Sequence, residues 1–309
     1  MFNKIITNLL LGLFAYSGVA NAHTLSRPPA YIDVIGKIEY AQVIRGETLL
    51  DIARRHVVGQ DDILLANSTV DRWLPSTGKT ITLPTRYILP KVERTGLVLN
   101  LPEMRLYYFP VPGLGKQPVV ITHPVSIGRM DWSTPLGNLQ VVAKQINPSW
   151  FPPVSLRREA AATGKVLPTV IGPGPDNPLG RYAIRLSMPG YLIHGTNKPY
   201  GVGMRVTHGC LRMYPEDIET LFNILPIGTH VQIINQAIKV GWLGQTLYLE
   251  VHPPLEEDAE QHKNLRKVAF DAISDALADR NTKYRVMLKE NVILSALEEQ
   301  NGVPVAISR

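Results

Sequence analysis

His194–Met213 has the sequence HGTNKPYGVGMRVTHGCLRM and contains Cys210, the only cysteine among 309 residues. Because a solitary cysteine cannot form an intramolecular disulfide, its thiol is either a small buried apolar group or a reactive one. His194 and His208 lie sixteen and two residues before it. Two strand ends placed side by side would bring both imidazoles to the sulfur. An imidazole base is the usual means of activating a thiol that is mostly un-ionised at neutral pH.

Gly209 has no side chain beside the sulfur, so the backbone can approach a substrate carbonyl closely. The amides of Gly209 and Cys210 are then expected to point at a developing oxyanion. The residues therefore predict a cysteine site for acyl transfer. A zinc site made by His194, His208 and Cys210 is the alternative. The sequence favours no metal, because the other histidines are scattered and no Cys-x-x-Cys or His-x-x-x-His spacing occurs.

The same stretch resembles the signature of the L,D-transpeptidase (YkuD) catalytic domain, which is a histidine, a spacer, Ser/Thr-His-Gly-Cys and then an arginine. The resemblance implies that Cys210 is the nucleophile and His194 the general base. It implies that the Gly195 carbonyl orients the imidazole and that His208 shapes the pocket beside the thiol. Thr207 stands where serine is commoner and keeps the hydroxyl.

The resemblance also implies a set of positions that contact the substrate. Arg212 is expected to anchor the loop or to meet a substrate carboxylate. The other expected substrate-binding residues are Thr196, Thr207 and Tyr182.

Residues 1–22 predict a secretory signal peptide, with Lys4 before an apolar core and Ala20-Asn21-Ala22 as the cleavage site. A membrane anchor is the alternative, although the apolar core is short for a span. We expect a soluble protein exported to the periplasm. A single cysteine is unusual in an oxidising space, and a working nucleophile would explain why it is tolerated.

The composition is that of a globular chain, with 45% hydrophobic and 19% charged residues and a formal net charge of +6. The length predicts about two domains. The charges are scattered and no lysine- and arginine-rich block occurs, which argues against nucleic acid as a partner. The mild basic excess suits an anionic polymer, or simply solubility.

Residues 23–38 contain two prolines and little periodicity, and they predict an extended tether. Residues 39–84 predict a strand, two helices and a closing strand. This unit resembles a LysM peptidoglycan-binding module, most clearly at Gly46-Glu47-Thr48-Leu49. The resemblance implies sugar contacts in the loops beside 46–48 and near Asn67. A small α/β spacer is the alternative.

Residues 95–235 contain strand-like runs separated by turns, including 105–109, 182–186 and 230–234, which predict a β-sandwich or barrel. Pro215 predicts the first turn of a helix that ends near Leu225. The run 147–177 is rich in proline and glycine and predicts a flap over the cysteine, with Trp150 and Phe151 in its wall. A solvent-exposed loop is the alternative. Residues 236–309 contain a strand-like run at 242–251 and two amphipathic helical patterns at 256–277 and 289–299. They predict an α/β subdomain that braces the catalytic domain or docks a partner. The predicted fold class is α+β, mainly β.

The layout of the whole chain resembles the periplasmic ErfK/YbiS subgroup of L,D-transpeptidases. The resemblance implies a tetrapeptide stem of peptidoglycan as donor, loss of its terminal D-alanine and an amine acceptor, typically a lysine of an outer-membrane lipoprotein. It implies no cofactor and inhibition by carbapenems. Three alternatives stay open: cross-linking of two diaminopimelate residues, hydrolysis, and a wall-binding scaffold with an inert cysteine.

Overall fold

The computed structural model describes residues 23–280 and 286–309. The predicted signal peptide at 1–22 lies outside the described residues. In this described part of the chain, no helix combines the length and apolar character needed to cross a bilayer.

The chain is strand-rich and mixes α and β elements, which confirms the predicted fold class. In chain order the strands are β1 (His23–Ser26), β2 (Val34–Gly36), β3 (Glu39–Gln42), β4 (Thr80–Leu83), β5 (Arg86–Ile88), β6 (Gly96–Asn100), β7 (Arg105–Phe109), β8 (Val119–Pro124), β9 (Ile127–Gly128), β10 (Gly137–Ile146), β11 (Tyr182–Leu186), β12 (Leu192–His194), β13 (Arg205–Thr207), β14 (Leu211–Arg212), β15 (His230–Ile234), β16 (Ile238–Leu243), β17 (Thr246–Val251) and β18 (Val305–Ala306). The helices are α1 (Leu49–Arg55), α2 (Gln60–Ala66), α3 (Val154–Ala162), α4 (Pro215–Ile224), α5 (Ala259–Asp279) and α6 (Glu290–Glu299).

A nine-stranded mixed sheet forms the centre of the molecule, in the order β1-β8-β7-β6-β15-β10-β11-β12-β14. Alternate residues of its strands enter one apolar core, because successive side chains of a strand point to opposite faces. Helix α4 adds Ile218 and Leu221 to this core. The chain segment after β8 returns to the far edge, where Ser126 pairs with Arg212 of β14.

Residues 23–38 are not the extended tether that the sequence predicts. Strand β1 pairs antiparallel with β8, with His23 opposite Thr122, and β2 pairs with β5. The prolines that suggested a tether lie between these two strands. The extended backbone on either side of them finds ladder partners in distant parts of the chain, which the local pattern does not reveal.

Residues 39–84 form the predicted order of strand, two helices and strand, with β3 and β4 paired antiparallel. Thr48 caps α1 through a capping box with Asp51. Asn67 is buried, and its amide nitrogen donates to the carbonyls of Ile63 and Thr82. This residue therefore fixes α2 against β4. We call residues 39–84 the N-terminal module.

The C-terminal residues form a three-stranded sheet, β16-β17-β18, covered by α5 and α6 around a separate apolar core. The strand-like run predicted at 242–251 is the second half of a hairpin, since β16 and β17 pair antiparallel from Ile238↔Val251 to Leu243↔Thr246. The two predicted helices are present as α5 and α6.

A buried ionic cluster joins the catalytic region to the C-terminal subdomain. The Lys239 ammonium lies 2.8 Å from a Glu103 oxygen and 2.7 Å from a Glu250 oxygen. His252 contacts the same Glu250 oxygen, also at 2.7 Å. Ligand atoms of Glu103, Glu250 and His252 lie close enough together to hold a cation, and the lysine already supplies that positive charge. We call these four residues the junction cluster.

Candidate active site

The ends of β12 and β14 bring the predicted base and nucleophile together. The two strands are parallel, with Ile193 opposite Leu211 and His194 opposite Arg212. Ile193 and Leu211 enter the core, so the alternation of side chains turns His194 and Arg212 to the other face. Cys210 directly precedes β14 in the chain. The charge of Arg212 acts on both the imidazole and the thiol, as expected when both groups border it.

The His194 ring is buried and held in one orientation by the backbone. Its Nδ1 lies 2.6 Å from the carbonyl oxygen of Gly195, the contact implied by the family resemblance. With Nδ1–H donating, the lone pair of the neutral ring is on Nε2. Burial and the nearby Arg212 cation lower the pKa of His194 to about 4, although carbonyls of Gly195 and Leu179 act in the opposite direction. The ring is therefore neutral at pH 7 and able to accept a proton.

Cys210 is partly exposed, and its Sγ–H donates to the carbonyl of Gly190 at 3.4 Å. Burial raises the pKa of the thiol, while a backbone hydrogen bond at Leu192 and the Arg212 cation lower it in part. Together with the low pKa of His194, this favours a neutral thiol beside a neutral imidazole. The sulfur must then lose its proton during attack rather than before it.

The turn before the sulfur is fixed by two threonines. Thr207 donates from Oγ1 to the Cys210 carbonyl at 2.6 Å, and Thr134 donates to the Gly209 carbonyl at 3.1 Å. Gly209 has φ +95°, and a Cβ there would lie 3.1 Å from Tyr191 Cε1, so this position requires glycine. Among the described residues, neither the Gly209 nor the Cys210 amide donates to a backbone carbonyl. Both amides remain free to bind an oxyanion.

Arg212 is a partly buried cation next to the reactive groups. Burial lowers its pKa, and its Nε is buried without a hydrogen-bond partner among the described residues. The ion pairs found in the described part of the chain give it no carboxylate partner. A buried guanidinium without a partner is costly unless an anion binds to it. The arrangement suits a substrate carboxylate.

Three residues predicted to bind substrate have structural roles. Thr207 is 2% exposed and donates within its own turn, as described above. Thr196 is buried, and its Oγ1 accepts from the Lys198 amide. Tyr182 lies on the core face, because its strand neighbour Ala183 is the residue paired with His194.

The hydroxyl of Tyr182 donates to Glu219 of α4 at 2.7 Å, and its ring packs on Phe222. Tyr182 directly precedes Ala183 on β11, so its side chain lies on the face of the sheet opposite to His194. It is therefore not placed to contact a substrate at Cys210.

His208 faces away from the core, toward a cluster that the sequence did not indicate. Its ring packs edge-on against Trp132, with centroids 5.3 Å apart. Its Nε2 lies 3.3 Å from an oxygen of Glu159 and 3.4 Å from Arg129 Nη2. The imidazole thus forms one wall beside the motif and contacts helix α3 through Glu159.

The predicted flap at 147–177 contains a helix, so it is not structureless. Helix α3 occupies its middle, and Trp150 and Ile171 pair at its base. Asn177 donates to three carbonyls of the same segment and closes it. Phe151 is exposed, and its wall role stays a prediction. Glu159 links the segment to the cysteine motif through His208.

The profile of the L,D-transpeptidase catalytic domain, YkuD, matches residues 94–233. The chain is 36% identical over 296 residues to the probable L,D-transpeptidase YcfS of Escherichia coli (strain K12), which covers 94% of this chain and 90% of that protein. The chain belongs to the L,D-transpeptidase family. It is 37% identical to the probable L,D-transpeptidase ErfK/SrfK of the same organism, over 96% of this chain and 94% of that protein. Probable L,D-transpeptidase YbiS, also from that strain, is 32% identical over 99% of this chain and its own whole length.

These comparisons confirm the predicted family and its ErfK/YbiS-like subgroup. Within the transpeptidase site, the sequence did not identify Trp132, Arg129 and Glu159. Glu159 is thirty residues from Arg129 and forty-nine from His208 along the chain. No local pattern connects residues at such separations.

Proposed function

We propose that this chain is a peptidoglycan L,D-transpeptidase that works through a thioester on Cys210, with His194 as general base. The observation that supports this most directly is the parallel pairing of β12 with β14. A neutral imidazole, oriented by the Gly195 carbonyl, ends one of these strands, and a partly exposed thiol directly precedes the other. A buried structural cysteine would need neither the oriented base nor the two free amides.

The proposed first half-reaction transfers the acyl group of the donor stem to the sulfur. His194 Nε2 takes the thiol proton as Sγ attacks the carbonyl of the residue before the terminal D-alanine. The C–N bond to D-alanine breaks, and the leaving amine takes the proton back from the imidazolium. The sulfur then carries a thioester, and His194 is neutral again.

In the second half-reaction an acceptor amine attacks the thioester carbonyl. His194 accepts a proton from the amine nitrogen, and the sulfur leaves and recovers a proton. The Gly209 and Cys210 amides would stabilise the oxyanion in both steps, an effect worth about 10²- to 10³-fold in rate. Arg212 would bind a carboxylate of the stem peptide and hold the scissile carbonyl over the sulfur.

We propose a lysine of an outer-membrane lipoprotein as the acceptor. This rests on the similarity to the ErfK/YbiS-like relatives, which extends over nearly the whole chain. Transfer to a diaminopimelate amine and transfer to water use the same acyl-enzyme. The site residues are common to all three outcomes, so the acceptor must be determined by its product.

The N-terminal module is proposed to bind the glycan of the wall as a LysM domain, and the cysteine site is proposed to work in the periplasm after the signal at 1–22 is removed. The module has the strand-helix-helix-strand order of such a domain. Exposed apolar side chains at Tyr40, Trp73 and Leu74 offer surface for sugar rings. Sedimentation of the inactive Cys210→Ala chain with purified sacculi tests this role, and a chain left in the supernatant would contradict it.

A carbapenem tests the cysteine chemistry, because its strained acyl group can react with the thiol. Intact mass spectrometry should show one covalent adduct on the wild-type chain and none on Cys210→Ala. An adduct retained on Cys210→Ala would eliminate this residue as the nucleophile. A wild-type chain without an adduct would support the scaffold alternative.

Transfer and hydrolysis are separated by the product from a tetrapeptide muropeptide and a lysine-ended peptide. The proposed acceptor predicts a conjugate whose mass is the sum of both peptides less D-alanine. A shortened tripeptide without conjugate would contradict the proposed acceptor and favour hydrolysis. A dimeric muropeptide would favour diaminopimelate cross-linking.

A further inference from the structure

Residues 195–206 join the base to the turn that carries the nucleophile. Ser126 holds this loop from the catalytic side, donating from Oγ to the Gly201 carbonyl at 2.6 Å. The loop also borders the cation of the site, since a Cβ added at Gly201 would lie 3.6 Å from Arg212 Nη1. The position of the loop therefore affects the space around the Arg212 guanidinium.

The N-terminal module binds the same loop from the other side through the start of α2. The backbone N–H of Gln60 donates to the Val202 carbonyl at 3.0 Å, and the backbone N–H of Asp61 donates to the Gly203 carbonyl at 3.1 Å. A Cβ added at Gly203 would lie 2.4 Å from the Cα of Gly59. Gly203 also has φ +80°, so both the conformation and the close approach require glycine.

A second contact joins the module to the segment after the motif. Arg54 of α1 makes a bidentate ion pair with Glu216 of α4, at 2.9 and 3.1 Å. The buried Tyr214 donates its hydroxyl to the Val58 carbonyl at 3.1 Å. The module thus contacts the chain between the base and the nucleophile, at 202–203, and again directly after Arg212, at 214–216.

These contacts could serve only to hold two folded units together. Their location indicates a further role in the cysteine site. Two of the backbone hydrogen bonds end at Val202 and Gly203, within two residues of Gly201, which borders Arg212. A site that needs fixed geometry loses rate when a supporting segment moves by a fraction of an ångström to an ångström.

We infer that the N-terminal module is a positioning element of the cysteine site. Docking of α1 and α2 fixes the loop at 195–206 and, through this loop, the position of the Arg212 guanidinium. The rate of acylation at Cys210 then depends on module docking even for a donor too small to reach the module. This inference rests on the proposed cysteine chemistry and adds a role that glycan binding does not provide.

Acylation of the full-length chain by a carbapenem measures this role without any glycan. Arg54→Glu and Glu216→Arg each place like charges at the interface, and we expect each to slow acylation by about tenfold or more. The combined R54E/E216R chain restores opposite charges and should recover most of the rate. Recovery would show that the charge pair between the two units determines the rate, rather than either side chain alone, and the circular dichroism of the single variants separates this from unfolding.

A glycine pair gives an independent measurement. Gly203→Ala introduces a side chain against Gly59 and should slow acylation by about tenfold or more. Gly228→Ala is the matched control, because Gly228 has a similar φ of +87° with nothing within 4 Å of an added Cβ. It carries the same backbone strain without touching the module, and its rate should stay close to wild type.

Two results would overturn the inference and are distinguishable from each other. Wild-type acylation rates in both ion-pair variants and in Gly203→Ala would leave the cysteine function intact and exclude a positioning role. A wild-type chain that forms no adduct would overturn the cysteine function itself, and this inference with it. Circular dichroism of each variant establishes that the chain is folded before its rate is compared.

Discussion

At the edge formed by β12 and β14, His194 is buried and Arg212 partly buried, and among the described residues neither makes an ion pair with a carboxylate. In the junction cluster, by contrast, the ammonium of Lys239 lies between two carboxylates. Burial acts on both regions in the same direction, since it disfavours every charged form. In the junction cluster the opposite charges prevail, and Lys239 and the other cations hold the pKa of Glu103 below its usual value despite burial. At the edge, burial prevails and the imidazole is neutral.

The junction cluster has carboxylates that balance its buried cation, whereas the edge formed by β12 and β14 has a cation and no anion beside it among the described residues. The junction cluster satisfies its charges within the protein and so fixes the position of the C-terminal subdomain. The transpeptidase edge keeps a neutral base, a neutral thiol and a cation without a counter-ion. A substrate carboxylate would supply the missing charge, which couples substrate binding to the state of the reactive groups.

The largest expected effect is on the base. Replacing His194 with alanine should lower the rate of carbapenem acylation by about 10³- to 10⁴-fold, because this removes the proposed acceptor of the thiol proton. His208→Ala is the control, with an expected loss of less than about tenfold, since its ring contacts Trp132 and Glu159. Pre-steady-state mass spectrometry measures both rates. Equal losses would show that the two histidines share the proton transfer.

The junction cluster should show the opposite pattern, with a loss of stability. Lys239→Met removes the cation that pairs with both buried carboxylates, Glu103 and Glu250, and should lower the free energy of unfolding by about 3 kcal/mol or more. Lys267→Met removes an exposed i,i+4 pair with Asp271 and should change it by less than about 0.5 kcal/mol. Urea unfolding followed by circular dichroism measures the two values. Similar changes in the free energy of unfolding for the two variants would show that the buried ion pairs of Lys239 contribute no more to stability than an exposed pair.

A smaller effect is expected at Arg212. Arg212→Gln should raise KM for a carboxylate-bearing stem peptide by about tenfold to a hundredfold, since a hydrogen-bonded charge pair is lost. It should also raise the pKa of His194, because the Arg212 cation is one of the two causes that lower it. Steady-state kinetics with the peptide and with its C-terminal amide separate the two effects. An unchanged KM would exclude carboxylate binding by Arg212.

The smallest expected effect is that of pH between 7 and 5. His194 must be unprotonated to act as a base, and its pKa of about 4 lies below this window. Acylation should therefore change by less than about twofold from pH 7 to pH 5 and fall about tenfold per pH unit below 4. A pH profile of carbapenem acylation tests this. A fall already near pH 6.5 would contradict a His194 pKa of about 4.

The sequence predicted most of what short segments determine. The strands at 105–109, 182–186 and 230–234 have the predicted bounds, since short runs of apolar, aromatic and β-branched residues between turn residues specify them. Pro215 begins α4 as predicted, and the order of base and nucleophile follows from the motif. These features are encoded within a few residues of one another.

What the sequence did not predict depends on distant contacts. Tyr182 was assigned to the site because the pattern of β11 does not tell which face meets the core. The pairing of β1 with β8 joins segments about a hundred residues apart. The contact of Glu159 with His208 depends on how α3 packs. Roles of Cys210 and His194 as nucleophile and base stay predictions until the rates are measured.

The pairing of β1 with β8 has a practical consequence for dissecting this protein. The N-terminal module lies between two strands of one sheet, β1 and β6, and is thus an insert with two attachments. A fragment that starts at residue 95 would lack β1 and expose the unpaired edge of β8, which invites association between chains. Excising residues 39–84 and bridging the gap would preserve that edge strand, so a recombinant catalytic core is better obtained by deletion than by truncation.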